Sequence, residues 1–322
     1  MNKIAVIYMG GTFGCVGSPL TPMSAPIFLE KLQHLYLSRM QQLDFFAAPT
    51  IKDSSELNAR DWLELSFFIQ TLSKQYQNFV LIHGTDTLHY AAAFLHHIFA
   101  DTIHLIITGS QYPLFKQTGE NLYSNSDAWD NLNFALNSIS SLKAGVYLGF
   151  QHTLYHANSC YKVHTQELKA FTGLETTTYQ SSHSLNALKH LETAHLELAQ
   201  KLRILNYYLS PESAKNITFN LDALRQNPPN ILILQTFGCG NLAYTTELKD
   251  VLNALIQSGC WIIISSQVLY GELSHQYAAG SWLADLDLVF DPHHSQADLY
   301  ARAVILYLQH HQQQNWQKYW LI

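Results

Sequence analysis

The ten residues Phe79-Val80-Leu81-Ile82-His83-Gly84-Thr85-Asp86-Thr87-Leu88 pass from four consecutive apolar side chains, through a polar turn containing one glycine, into a helical pattern. An apolar run with no polar face suits a strand covered on both sides. The helical pattern from about Leu88 to Phe99 is followed by a second apolar run, Ile103 to Ile107. A strand, a crossover helix and another strand in that order imply a parallel sheet, with ligands expected at the carboxyl ends of its strands.

The same beat extends in both directions. Upstream lie the strand Ile4 to Tyr8, a helix from about Ala25 to Leu37 and a helix near Arg60 to Gln75. Downstream come a helix from about Asp127 to Ile139 and the strand Val146 to Leu148. From Thr172 to about Lys201 strand signals cease, and a helix is expected at Leu185 to Leu202. A second α/β beat follows: strand Ile231 to Leu234, helix from about Thr245 to Gln257, strand Trp261 to Ser265, and a closing helix from about Gln296 to Gln312. The expected class is α/β with two α/β domains. Residues 1–175 form a larger, mostly parallel sheet with flanking helices, 176–203 an interdomain linker, and 204–322 a smaller parallel-sheet domain.

Composition narrows the function. The formal charge is −6, with 18 Lys and Arg and no basic run, so neither a phosphate backbone nor an anionic lipid surface is an expected partner. Charged residues make up only 13% of the chain, about half the usual share, which favours a surface partly covered by another subunit. Ile4 to Tyr8 is too short for a signal-peptide core, and no run approaches the ~20 apolar residues of a membrane span. Cys15, Cys160, Cys239 and Cys260 are far apart and lack a metal-site or disulfide spacing, which suits a cytoplasmic location. Adjacent histidines such as His96-His97, His293-His294 and His310-His311 do not share a helix face for chelation, and are expected at the surface rather than on a metal.

Three turns after first-domain strands carry chemistry. Gly10-Gly11-Thr12 joins a backbone that a ligand can approach closely to a hydroxyl of the kind that attacks a carbonyl. In His83-Gly84-Thr85-Asp86-Thr87, Asp86 or Thr87 fits a helix N-cap, which accounts for one residue of the run but not for all of it. Thr108-Gly109-Ser110-Gln111 repeats the arrangement one strand further on. Asp53-Ser54-Ser55-Glu56 suits either a helix start or a grip on a substrate carboxylate, and the carboxylates of Asp86 and Glu56 would attract an amine. A small zwitterion is the expected ligand.

In this order these motifs resemble the bacterial type I L-asparaginases. Ser126-Asp127-Ala128-Trp129-Asp130-Asn131-Leu132-Asn133 looks like the family's helix after the third turn, and Tyr161-Lys162-Val163-His164-Thr165 with Ala170-Phe171 like its lysine segment. Phe237-Gly238-Cys239-Gly240-Asn241 and Ser266-Gln267 with Gly271 resemble its second-domain turns. The resemblance implies catalytic roles for Thr12, Thr85, Asp86 and Lys162, and substrate contacts from Gly11, Asp53, Ser54, Ser55, Gly84, Ser110 and Asn241. It implies attack by Thr12 on the side-chain amide of L-asparagine, loss of ammonia and hydrolysis to L-aspartate, with neither metal nor organic cofactor. It further implies a homodimer or homotetramer in which Asn241 or Glu272 reaches a neighbour's cleft.

The chain departs from the pattern in places. Leu20 stands where the family has a tyrosine, in a lid with Gly14 and Gly17 as expected hinges and with Pro19 and Pro22 stiffening its tip. Gln235 and Val268 occupy the places of an arginine and a cysteine used for asparagine regulation, so that regulation is not expected. The alternatives are hydrolysis of L-glutamine or D-asparagine, and a non-catalytic amino-acid sensor that keeps the cleft. A tRNA-dependent amidotransferase subunit would need an added domain and a basic surface. A nucleotide binder would need a G-x-G-x-x-G or G-x-x-x-x-G-K-[ST] turn, and the sequence has neither.

Overall fold

A computed structural model of the chain describes residues 3–177, 184–269, 273, 278–291 and 295–320. These fall into two compact units, one of residues 1–200 with 295–305 and the other of 201–294 with 306–322.

The first unit is built on a six-stranded sheet in the order Leu43–Ala47, Ile4–Tyr8, Asn78–Ile82, His104–Thr108, Gly145–Phe150, Thr153–His156. The first five strands run parallel and the last is antiparallel to its neighbour. Every residue of Ile4–Tyr8 and Asn78–Ile82 is buried, as expected of strands covered on both faces. Helices Ala25–Leu35, Ala59–Leu72, Leu88–Phe99 and Ala128–Ser138 supply the crossovers. One core cluster gathers Tyr8, Phe28, Leu32, Leu43, Ile82 and Leu132. Because chain order reverses direction at Ile4–Tyr8, the crevice between that strand and Asn78–Ile82 is a topological switch point. The turns after these two strands bear Thr12 and Thr85.

The second unit carries a four-stranded parallel sheet in the order Ile204–Tyr208, Ile231–Thr236, Trp261–Ser266, Val289–Phe290. Helices Ala214–Asp222 and Thr246–Gln257 pack their apolar faces into its core through Ile217, Leu221, Leu248 and Leu252. The fold is thus the expected α/β pair of parallel-sheet units, the second smaller.

Several local expectations change. The helix expected at Leu185–Leu202 divides into a short 3-10 turn, Ala187–His190, and a helix, His195–Lys201. Ahead of it, Ser184 Oγ donates to the His96 carbonyl and the Leu185 N–H to His97 Nδ1, which tie the start of the segment to helix Leu88–Phe99. His96 and His97 are not surface residues. That helix is apolar all round and interior, so both rings are buried, and His97 Nε2 lies 2.7 Å from Asp298 Oδ1. His310 and His311 are half-buried, stacked on Tyr319 and Tyr307 respectively, while His293 and His294 lie outside the described residues. A Cβ on Gly14 would lie 2.0 Å from the Tyr8 hydroxyl, so this glycine serves close packing.

Candidate functional site

The site begins where three turns touch. Gly11 has φ of +85°, and a methyl on it would lie 2.3 Å from the Gly84 Cα. A methyl on Gly84 would lie 2.6 Å from Ser54 Oγ. The backbones after strands Ile4–Tyr8 and Asn78–Ile82 and the segment after Leu43–Ala47 are therefore in direct contact, and only glycine fits at the two central places. Thr12, half-buried, follows as the first residue of a 3-10 turn, Thr12–Gly14.

Charge enters from Lys162, on the short ribbon that pairs Tyr161–Lys162 with Phe171–Thr172. Its Nζ donates to Thr85 Oγ1 at 3.0 Å and to Asp86 Oδ1 at 2.6 Å. The lysine side chain is mostly covered whereas that of Asp86 is largely exposed. The Asp86 N–H donates to Ser54 Oγ at 3.3 Å, and Thr87 Oγ1 donates to the Ser54 carbonyl at 2.7 Å. Neither Asp86 nor Thr87 caps the following helix through its side chain; Thr87 is at the N-cap position, but its hydroxyl is spent on Ser54. Asp53 does act as a cap, of the 3-10 turn Ser54–Glu56. Its Oδ1 accepts from the Ser55 N–H and Oγ, and these bonds hold its carboxyl below the usual range. The helix expected near Arg60 has its own capping box, Asn58 with Asp61.

Behind the second turn, buried His83 uses both ring nitrogens: Nδ1 faces the Gly84 carbonyl at 2.8 Å, and Nε2 accepts from Trp62 Nε1–H at 3.3 Å. Indole is only a donor, so a neutral imidazole is the form that fits, and burial lowers the His83 pKa to about 4. His89, six residues further on and in helix Leu88–Phe99, is also lowered to about 4, by burial first and then by the nearby Lys162 charge.

The third turn contributes differently from expectation. The Ser110 hydroxyl, buried, donates to the Tyr112 carbonyl and serves the turn itself. Gln111, which sequence reasoning quoted without a role, places Oε1 3.5 Å from Thr85 Oγ1 and donates through Nε2 to the Thr165 and Glu167 carbonyls. Asp127 fixes this turn by accepting the Gln111 and Tyr112 N–H groups and the Asn131 amide. Burial raises the Asp127 pKa, against the lowering effect of those bonds. A lone acid at a helix start gave no signal of this, because its partners lie 15 and 16 residues upstream.

The structure thus brings Gly11, Thr12, Ser54, Gly84, Thr85, Asp86 and Lys162 into one set of touching or bonded turns, with Asp53, Ser55 and Ser110 on its borders. Asn241 belongs to the second unit, in the turn Phe237–Asn241, where its backbone N–H donates to the Phe237 carbonyl. Its Oδ1 is buried and has no hydrogen-bond partner among the described residues. Glu272 and Gly271 lie outside the described residues. Among the described residues no group of three His, Cys, Asp or Glu converges as a metal site, and the four cysteines are free.

A family model described as Asparaginase, N-terminal, matches residues 3–194. An L-asparaginase of Dirofilaria immitis is 28% identical over 251 residues, covering 74% of this chain and 40% of that protein. This chain therefore spans about two fifths of the length of that relative. L-asparaginase 1 of Escherichia coli (strain K12) is 25% identical over 304 residues, covering 89% of this chain and 86% of its own length. The solved structure of the thermostable L-asparaginase from Thermococcus kodakarensis has the same fold, with a TM-score of 0.77 at 20% identity, and covers 98% of this chain and 96% of its own.

Proposed function

The chain belongs to the asparaginase family, and from that premise we propose that it hydrolyses the side-chain amide of L-asparagine to L-aspartate and ammonia, with Thr12 as the nucleophile. The observation that carries the reading is the bonded group Lys162, Thr85 and Asp86 beside the glycine turn that bears Thr12. A threonine hydroxyl is protonated at neutral pH, so attack on an unreactive amide needs a path for its proton and donors for the developing oxyanion. The Thr85 hydroxyl, oriented by Lys162, hands the proton between Thr12 and the departing amine. Lys162 takes part in that proton transfer while Asp86 fixes its position. N–H groups of the Gly10-Gly11-Thr12 turn meet the oxyanion. Water then hydrolyses the Thr12 ester.

Binding follows the same logic. Asp86 attracts the substrate ammonium, and the turn Asp53-Ser54-Ser55, with Gly11, Gly84 and Ser110, shapes the pocket around the zwitterion. Asn241 adds an amide contact within a homodimer or homotetramer, and the low share of charged residues fits a surface partly covered by other copies. A cytoplasmic setting is supported by the four free cysteines. No helix among the described residues is long and apolar enough to cross a membrane.

The test is ammonia release from L-asparagine, L-glutamine and D-asparagine by the purified chain, with Thr12→Ala and Thr85→Val alongside. Release from L-asparagine that is lost in both variants is expected. Binding of asparagine by calorimetry without any release would instead make the protein an amino-acid sensor.

A further inference from the structure

Lys162 reaches Thr85 and Asp86 from a ribbon of two residue pairs, Lys162 with Phe171 and Tyr161 with Thr172. A ribbon this short does not hold its own place, because even an isolated hairpin is marginal in water. Packing from outside must fix the root of the lysine side chain. Residues directly opposite in an antiparallel pair project to the same face, so the Phe171 ring and the Lys162 stem leave the ribbon side by side.

Phe171 is buried, and two rings seat it. The Phe150 ring, at the end of strand Gly145–Phe150, meets it edge to face at 5.0 Å between centroids. The His89 ring meets it at 6.2 Å, tilted by 57°. The Phe171 carbonyl accepts the Tyr155 hydroxyl at 3.3 Å, a bond that holds the backbone and leaves the ring to be set by packing.

His89 lies in the first turn of helix Leu88–Phe99, three residues after Asp86. One helix start therefore acts on the lysine ribbon at two points: Asp86 Oδ1 takes the lysine Nζ at 2.6 Å, and the His89 ring backs the residue opposite the lysine root. Packing alone holds that ring. It lies 4.6 Å from the Tyr90 ring, and its Nδ1 is buried with no hydrogen-bond partner among the described residues. A buried nitrogen left unpaired weakens a fold, and an apolar ring would avoid that loss. Burial keeps the imidazole neutral, so it stands on the lysine's side of the ribbon without adding a second charge there.

We propose that His89 is a positioning residue for Lys162: through Phe171 it sets the point from which the lysine reaches the Thr85 hydroxyl. The proposal rests on the amidohydrolase reading above, and gives a side chain outside the catalytic group control over the proton-transfer step.

The test compares His89→Ala, which removes the ring, with His89→Phe, which keeps it, each in the wild-type chain and in Lys162→Met. His89→Leu, which fills the space without a ring, takes the place of His89→Ala if the latter does not fold. Ammonia release from L-asparagine is assayed, and labelling of Lys162 by an amine reagent is followed by mass spectrometry. His89→Ala is expected to lower kcat ~10-fold with KM within ~3-fold, the pattern of an interaction made only in the transition state. Labelling of Lys162 should quicken ~3-fold, because a lysine that drifts from its partners is open to the reagent more of the time. His89→Phe should bring both readings back to within ~2-fold of wild type and resist urea at least as well, since the unpaired nitrogen is gone. In Lys162→Met, removing the ring should cost less than a further ~2-fold, because two groups that act through one interaction are not additive. An equal loss in both backgrounds would make His89 structural and overturn the proposal. So would a His89→Phe variant as slow as His89→Ala, or Lys162 labelling that does not change. A wild type that releases no ammonia would overturn the amidohydrolase reading instead, and the labelling would still decide whether His89 places the lysine.

Discussion

The turn after Ile4–Tyr8 and the turn after Asn78–Ile82 carry threonine at corresponding places, Thr12 and Thr85, but they are held by different means. Thr85 is held by charge and hydrogen bonds: Lys162 at 3.0 Å, Gln111 at 3.5 Å, and the neighbouring Asp86 and Thr87 on Ser54. Thr12 is placed by missing side chains, since Gly11 lies against Gly84 where no Cβ fits. One turn is fixed by electrostatics and the other by steric fit. Loss of charge should therefore damage the chemistry and spare the fold, whereas an added methyl should damage the fold first.

Lys162→Met is the strongest way to break the first half of that contrast. It removes the donor to Thr85 and Asp86, and kcat for L-asparagine is expected to fall by about 10^3-fold, in the range of lost proton-transfer groups. Thermal unfolding should move little, because the Asp86 carboxylate is already well exposed. A parallel fall in Tm would show that the lysine is structural.

Gly11→Ala tests the second half. A methyl 2.3 Å from a backbone carbon, on a residue with positive φ, should destabilise the chain on the order of 3 kcal/mol, read by urea unfolding. Gly17→Ala is the control. It also has positive φ, +81°, but its nearest neighbour would be the Pro19 carbonyl at 3.4 Å, so about 1 kcal/mol is expected. Equal losses would mean that backbone strain, not the contact of the two turns, sets the effect.

The same contrast separates what was legible in the sequence from what was not. Buried parallel strands such as Asn78–Ile82 announce themselves because every residue is apolar, and the turns that follow them stand out as polar interruptions. The edge strand Leu43–Ala47 carries Asp44, which pairs with Lys3 and accepts from Tyr76, and so it does not read as a strand. The antiparallel strand Thr153–His156 follows a turn whose positive-φ residues are Gln151 and His152, neither of them a usual turn former. At the site, hydroxyls and charges next to glycine could be singled out locally. Gln111 and Asp127 could not, because their roles depend on partners 15 to 56 residues away.

His83 sharpens the comparison through pH, because it supports the second turn and has no counterpart behind the first. Its folded pKa of about 4 lies below the ordinary 6.5, so the unfolded chain takes up the proton first as pH falls. The stability that depends on neutral His83 is complete above pH 6.5 and is lost as pH drops toward about 4. Between pH 7 and 5 this amounts to roughly 2 kcal/mol. Urea unfolding of His83→Phe across that interval should show a pH slope shallower by that amount, from a lower starting stability. An unchanged slope would mean that His83 is accessible to protons in the folded chain.

The smallest expected effect is at Ser54, which joins the two designs. Its hydroxyl receives the Asp86 N–H at 3.3 Å and also lies against Gly84, so it is both a hydrogen-bond partner and a packing surface. Ser54→Ala removes the first function and keeps most of the second. One long hydrogen bond in a partly covered site is worth about 1 kcal/mol, so a Tm drop of a few degrees is expected. The Ser54 carbonyl still receives Thr87 Oγ1 at 2.7 Å, and this bond keeps the turn in register. If Ser54 also holds the substrate head, KM for L-asparagine should rise while kcat stays within about 3-fold, the pattern of lost uniform binding. A fall in kcat with KM unchanged would instead mean that Ser54 acts through Asp86 on Lys162, and the second turn's electrostatic network would then extend one residue further than its shortest bonds indicate.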